Sequence, residues 1–226
     1  MLKRVVIILL CSLVSNTVFS VESVCYGTTK NGRLEHAVQL PSSGSNFVSY
    51  SSLAATLGRT YVHSTVRDII VAAYKQLAND LPNKRFKYAE TGFKKGGRFK
   101  PHKTHQNGLS VDFMVPVVND KGESVHLSTH ALNRYGYDIE FDAKGRLDNL
   151  TIDYEALAAH IVMLDKQAKA HSVKLWRVIF DPKLQPLLLK TKYGEYIKKN
   201  ITLSKKRSWV RHDEHYHVDF DVPCKH

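Results

Sequence analysis

Apolar and polar side chains alternate most cleanly at the C-terminal end of the chain, in His215-Tyr216-His217-Val218-Asp219-Phe220-Asp221-Val222. A strand changes face at every residue. Tyr216, Val218, Phe220 and Val222 therefore share one face, and His215, His217, Asp219 and Asp221 the other. This pattern predicts a half-buried strand with a polar site on its open face. Ser110 to Val118 repeats it: Val111, Phe113, Val115 and Val117 point one way, Asp112 and Met114 the other, with Pro116 near the end. Arg85–Thr91 and Leu175–Phe180 read as further strands, the second buried, with Trp176 in the core. Val66, Ile69, Ile70, Ala73, Tyr74 and Leu77 recur at helical spacing. They predict a helix capped by Ser64-Thr65, running to Asn79 and stopped by Asp80-Leu81-Pro82-Asn83. A second helix, capped by Asp153 and running to Ala170, turns Leu157, Ile161, Leu164 and Ala168 inward. Leu184 to Asn200 is helical with a break near Thr191, and residues 27–45 form an extended N-terminal segment. Residues 137–150 predict a hairpin or lid around the turn Asp142-Ala143-Lys144-Gly145. The fold class is α+β, a small antiparallel sheet with flanking helices.

The first twenty residues change the picture of where this domain works. Lys3 and Arg4 precede an apolar run from Val5 to Leu13, and Val18-Phe19-Ser20 suits cleavage. The run is too short to span a bilayer. It reads as a secretory signal peptide over residues 1–20, leaving one domain over 21–226. The expected location is the periplasm, and no later stretch is apolar enough to act as a transmembrane segment. Cleavage leaves two cysteines, Cys25 and Cys224, which an oxidising compartment favours as a disulfide. The whole chain carries 33 Lys and Arg against 21 acids, a net +12. That excess favours an anionic partner. Outside the cytoplasm this means cell wall or lipid headgroup rather than nucleic acid.

The chemistry concentrates in two segments. His105, Asp112 and His217 meet the requirement of a catalytic zinc site, three protein ligands with the fourth position left open. Gly108 lets the backbone turn between His105 and the strand. His215 shares the face of His217 and suits a general base, with His212 a second candidate just before the strand. Asp219 lies on the same face and suits an acceptor that orients an imidazole. Arg98, in the basic loop before His102, is the best candidate for gripping a peptide carboxylate. His126, His130 and His171 have no partners at ligand spacing and read as surface or core-edge residues. Trp209 suits a core position and a subsite wall equally.

The segments His102-Lys103-Thr104-His105-Gln106-Asn107-Gly108-Leu109-Ser110-Val111-Asp112 and His212-Asp213-Glu214-His215-Tyr216-His217-Val218 resemble the two motifs of the penicillin-insensitive murein endopeptidases. These are LAS metallopeptidases, the group that includes lysostaphin-type and D-Ala-D-Ala peptidases and hedgehog domains. Gly96-Gly97-Arg98-Phe99 before the first motif and Cys224 after the second also fit. The resemblance covers mainly residues 94–118 and 205–225. It implies an α+β LAS/hedgehog-like core and Zn2+ bound by His105, Asp112 and His217. It also implies catalytic assistance from His215 and His212, and an association of His102 with additional metal. The implied activity is hydrolysis of the D-alanyl–meso-diaminopimelate cross-link of peptidoglycan, without a serine nucleophile and so insensitive to β-lactams. Family members carry a further acid and histidine in mid-chain, for which Glu155 and His160 are counterparts at a different spacing; the family's extra internal cysteines are absent. Two other readings stay open, a D,D- or L,D-carboxypeptidase of the same group and a non-catalytic cell-wall-binding module.

Overall fold

Among the described residues thirteen strands form, most of them short. The computed structural model describes residues 21–206, 208 and 210–226. The segment expected to be a signal peptide and Trp209 lie outside the described residues. In chain order the strands are β1 (Val24–Thr28), β2 (Asn31–Glu35), β3 (Val38–Gln39), β4 (Phe47–Ser49), β5 (Tyr61–Val62), β6 (Phe86–Tyr88), β7 (Ser110–Met114), β8 (Val117–Asn119), β9 (Ser124–Val125), β10 (Arg146–Leu147), β11 (Leu150–Ile152), β12 (Lys174–Ile179) and β13 (His215–Asp221). The helices are α1 (Ser52–Thr56), α2 (Ser64–Asp80), α3 (Tyr154–Ala170), α4 (Gln185–Leu188) and α5 (Gly194–Asn200). The architecture is α+β, as the periodicities predict.

The sheet that matters for chemistry has five strands in the order β12-β13-β7-β6-β4. All its pairs are antiparallel except β4 with β6. One face is apolar: Val111, Phe113, Tyr216, Val218 and Phe220 are all buried. They meet the apolar stripes of α2 and α3, with Phe113 edge-on to Tyr74 and His160 and stacked on Tyr216. Burying a side chain of this size contributes roughly 1.5–3 kcal/mol. That packing sets the register, because a slip by one residue would turn every apolar side chain outward. The register pairs His217 with Asp112 directly across β13 and β7.

Several expected boundaries shift for physical reasons. The predicted strand 110–118 is two strands in different sheets, since Pro116 cannot donate to a ladder; β8 joins the separate sheet β10-β11-β8-β9. Residues 27–45 take in the end of β1 and all of β2, parts of a hairpin, rather than only extended chain. The hairpin near residue 145 pairs β10 with β11, so the Asp142–Gly145 turn precedes it instead of forming its tip. The cap of α2 is His63, whose Nδ1 accepts from the Thr65 backbone N–H at 3.2 Å, not Ser64. Asp153 caps α3 as expected. Cys25 and Cys224 form a disulfide that ties β1 to the segment following β13.

Candidate active site

Asp112 is the hub. His217 Nδ1 lies 2.8 Å from Asp112 Oδ1, and His105 Nε2 lies 3.3 Å from the same oxygen. Tetrahedral zinc with bonds of about 2.0–2.1 Å places neighbouring ligand atoms about 3.3 Å apart. His105 Nδ1 donates to the Thr91 carbonyl at 3.0 Å, which leaves Nε2 unprotonated. That nitrogen is buried and has no hydrogen-bond partner. A buried acceptor left unpaired costs about 1–3 kcal/mol, and a cation is the partner that removes the penalty. His105 reaches this position with a left-handed backbone, φ 69°, uncommon for a residue with a Cβ and a mark of local constraint at a site. Gly108 supplies the turn that follows, at φ 76°, where a Cβ would meet the His63 nitrogen at 2.8 Å.

His102, His105 and Asp112 together place ligand atoms within 4.8 Å of one another, a group able to hold a metal ion. His102 is more tightly engaged elsewhere. Its Nε2 lies 2.5 Å from Glu90 Oε2, against 3.6 Å from Nδ1 to Asp112 Oδ2. Glu90 also accepts from the Tyr50 hydroxyl at 2.8 Å and pairs with Arg59. Burial resists its ionisation, but His102 and Arg59 outweigh burial and hold its carboxyl down at about 2. The second oxygen of Asp112 accepts from the Tyr137 hydroxyl at 2.9 Å. Burial likewise opposes the charge of Asp112, yet His105 and His217 keep it well below the usual carboxylate range.

On the other side of the hub, His217 Nε2 donates to Asp219 Oδ1 at 2.8 Å. Asp219 is fully buried and is itself held by the Ser110 hydroxyl at 2.6 Å and by the Arg177 guanidinium. Burial disfavours a charged His217, but its two carboxylate neighbours prevail and raise it to about 10. A metal ion held through Nδ1 would have to displace a proton.

The site opens into a cleft of about 810 Å³, whose lining includes Glu90, His102, Asp112, His212, Glu214 and His215. His212 and His215 lie ring against ring, centroids 4.4 Å apart. His212 Nδ1 donates to the Val210 carbonyl at 3.1 Å, so Nε2 is the free acceptor. His215 Nδ1 lies 2.6 Å from Glu214 Oε1. Burial pushes Glu214 up to about 10 and His215 down to about 4, so at neutral pH the Glu214 carboxyl keeps its proton against Nδ1 of a neutral His215, whose own N–H sits on Nε2. Burial, reinforced by the adjacent His215, also brings His212 down to about 3, which keeps its ring neutral.

Not every expected site residue arrives. Arg98 is exposed and outside the cleft lining; its neighbour Phe99 turns inward instead, against the His102 and His105 rings. Glu155 accepts from the Lys192 backbone N–H on the molecular surface. His160 is buried behind the sheet among Tyr74, Phe86, Phe113 and Tyr216. Neither belongs to the cleft lining. His126, His130 and His171 are exposed. Glu90, Tyr137 and Glu214 are site residues that the sequence reading missed. Glu214 stands inside the second motif beside His215, and that adjacency was an available signal. Glu90 and Tyr137 come from separate elements and carry no local signature. The chain matches no curated protein sequence. The sequence profile of the penicillin-insensitive murein endopeptidases matches residues 25–226, so the chain belongs to this family and is a murein endopeptidase.

Proposed function

We propose that this murein endopeptidase is an exported zinc enzyme that hydrolyses the D-alanyl–meso-diaminopimelate cross-link between peptidoglycan stem peptides. The observation that supports it most is the convergence of His105 Nε2, which lacks a partner, and His217 Nδ1 on one oxygen of Asp112. These three residues would hold the ion, a nitrogen–nitrogen–carboxylate set suited to zinc. Bound there, zinc supplies Lewis acidity, polarising the scissile carbonyl and acidifying water.

The protein's own groups supply the proton handling. The tautomers favour His212 as the base, since its Nε2 has a lone pair free to take a proton from the attacking water. They favour the Glu214–His215 pair as the donor, presenting a proton to the developing oxyanion and then to the leaving amine. This is the reverse of the order that strand pattern alone suggests. The two rings are close enough to restore the proton balance after each turnover. Tyr137 and Asp219 hold Asp112 and His217 in place. No step uses a serine, so a β-lactam has nothing to acylate.

The test is digestion of whole sacculi with and without a chelator, with the released fragments identified by mass. Cross-linked dimers and monomeric pentapeptides are digested side by side. Cleavage of dimers at the cross-link, abolished by chelator and restored by zinc, is the expected result. Trimming of pentapeptides alone would make the enzyme a carboxypeptidase, and binding of sacculi without cleavage would make it an adhesion module.

A further inference from the structure

One exposed aromatic residue stands at the margin of the cleft for a reason visible in the backbone. Strand β12 pairs with β13 as Leu175↔Phe220 and then Arg177↔Asp219, so Trp176 is an extra residue in a β-bulge. Regular alternation would place Trp176 with Val178 and Phe180 in the core. Instead Leu175 and Val178 are buried on the helix side, and Trp176 is 51 % exposed. This overturns the expectation that Trp176 is a core residue. Bulges re-aim side chains and gather beside active sites. Here Trp176 joins Arg177, whose guanidinium carbon lies 4.7 Å from the indole centroid. Arg177 and Ile179 line the cleft wall. Arg177 is also bonded to Asp219, which holds His217. The indole is thus anchored through one buried carboxylate to the catalytic centre, on a strand rather than a mobile loop.

Leaving half a tryptophan in water forgoes roughly 1–2 kcal/mol of burial. Packed on Arg177, a residue of the cleft wall, the indole keeps an open face for an occupant. The chemistry of murein supplies one. Every stem peptide hangs from a strand of N-acetylated amino sugars, so cleavage brings sugar rings close to the cleft. A pyranose ring has a flat face of polarised C–H groups, which suits the electron-rich face of an indole. We propose that Trp176 is a stacking platform for the glycan strand, a sugar-binding subsite separate from the peptide-cleaving centre. The proposal rests on the murein reading, and it requires no change in the hydrolytic step.

The test compares two cross-linked substrates with the same peptide, one carrying its disaccharides and one stripped of them by an amidase. Wild type, Trp176→Ala and Trp176→Phe are assayed on both. For Trp176→Ala the expected result is a rise in KM of about tenfold on the sugar-bearing dimer, with kcat within twofold. Its kinetics on the stripped dimer stay at the wild-type level, and Trp176→Phe recovers most of the affinity. N-acetylglucosamine oligomers should quench the fluorescence of wild type and not that of Trp176→Ala. Equal losses on both dimers, or no loss on the sugar-bearing one, would overturn the subsite. Failure of wild type to cleave either dimer would instead bring down the murein reading beneath it.

Discussion

At the scale of single residues, the candidate site keeps the proposed metal ligands apart from the proposed proton carriers. His105 and His217 each have one nitrogen fixed by a protein acceptor and the other aimed at Asp112. Glu214 has no place in metal holding; its carboxyl lies against His215. Glu214→Gln keeps a hydrogen bond to His215 but has no acidic proton. It should lower kcat on cross-linked dimers about 10²-fold with KM and zinc content little changed. Steady-state kinetics beside metal analysis checks this, and an unchanged kcat would return Glu214 to a structural role. The candidate metal ligands were legible because alternation and motif spacing are local properties. Glu90 and Tyr137 were not, because they reach His102 and Asp112 only through the folding of distant segments.

At the scale of elements, the register between β7 and β13 positions the chemistry, and the aromatic packing behind the sheet sets the register. The helices and the last strand were legible because their apolar periods are long and uninterrupted. Two local devices hid the rest. Pro116 divides one expected strand, and the bulge at Trp176 reverses a face that simple alternation assigns. His160 sits in the aromatic layer, where burial brings it down to about 3. The unfolded chain protonates this histidine near the usual 6.5, so stability falls as pH drops from about 6.5 towards 3. Between pH 7 and pH 5 His160 alone should cost wild type roughly 2 kcal/mol. His160→Phe should lose less stability than wild type over that interval, as read by urea denaturation at both pH values. Identical pH dependence in the two proteins would contradict the account of this layer. Gly108→Ala should disturb the His105 loop, because the backbone there is left-handed and the Cβ would strike the His63 nitrogen. Dimer cleavage should fall with it, by tenfold or more on the positional sensitivity of such sites.

At the scale of the whole molecule, the disulfide and the site reinforce each other. Cys25 and Cys224 are 199 positions apart, and their bond fastens the N-terminal hairpin beside the end of the strand that carries His215 and His217. Closing so long a loop stabilises the fold by about 5 kcal/mol in the chain-entropy model. Cys25→Ala paired with Cys224→Ala should lower the free energy of unfolding by roughly 2–5 kcal/mol, measured by denaturant titration. The α+β class follows from patterning, whereas the joining of β1 to the segment after β13 is visible only in three dimensions. The proposed mechanism depends on Asp112 gathering His105 and His217 around one ion. Its most direct test is metal content, by elemental analysis, alongside dimer cleavage for wild type and Asp112→Ala. Wild type should hold zinc firmly and cleave, and Asp112→Ala should lose both while remaining folded. Undiminished metal and full cleavage in Asp112→Ala would contradict it.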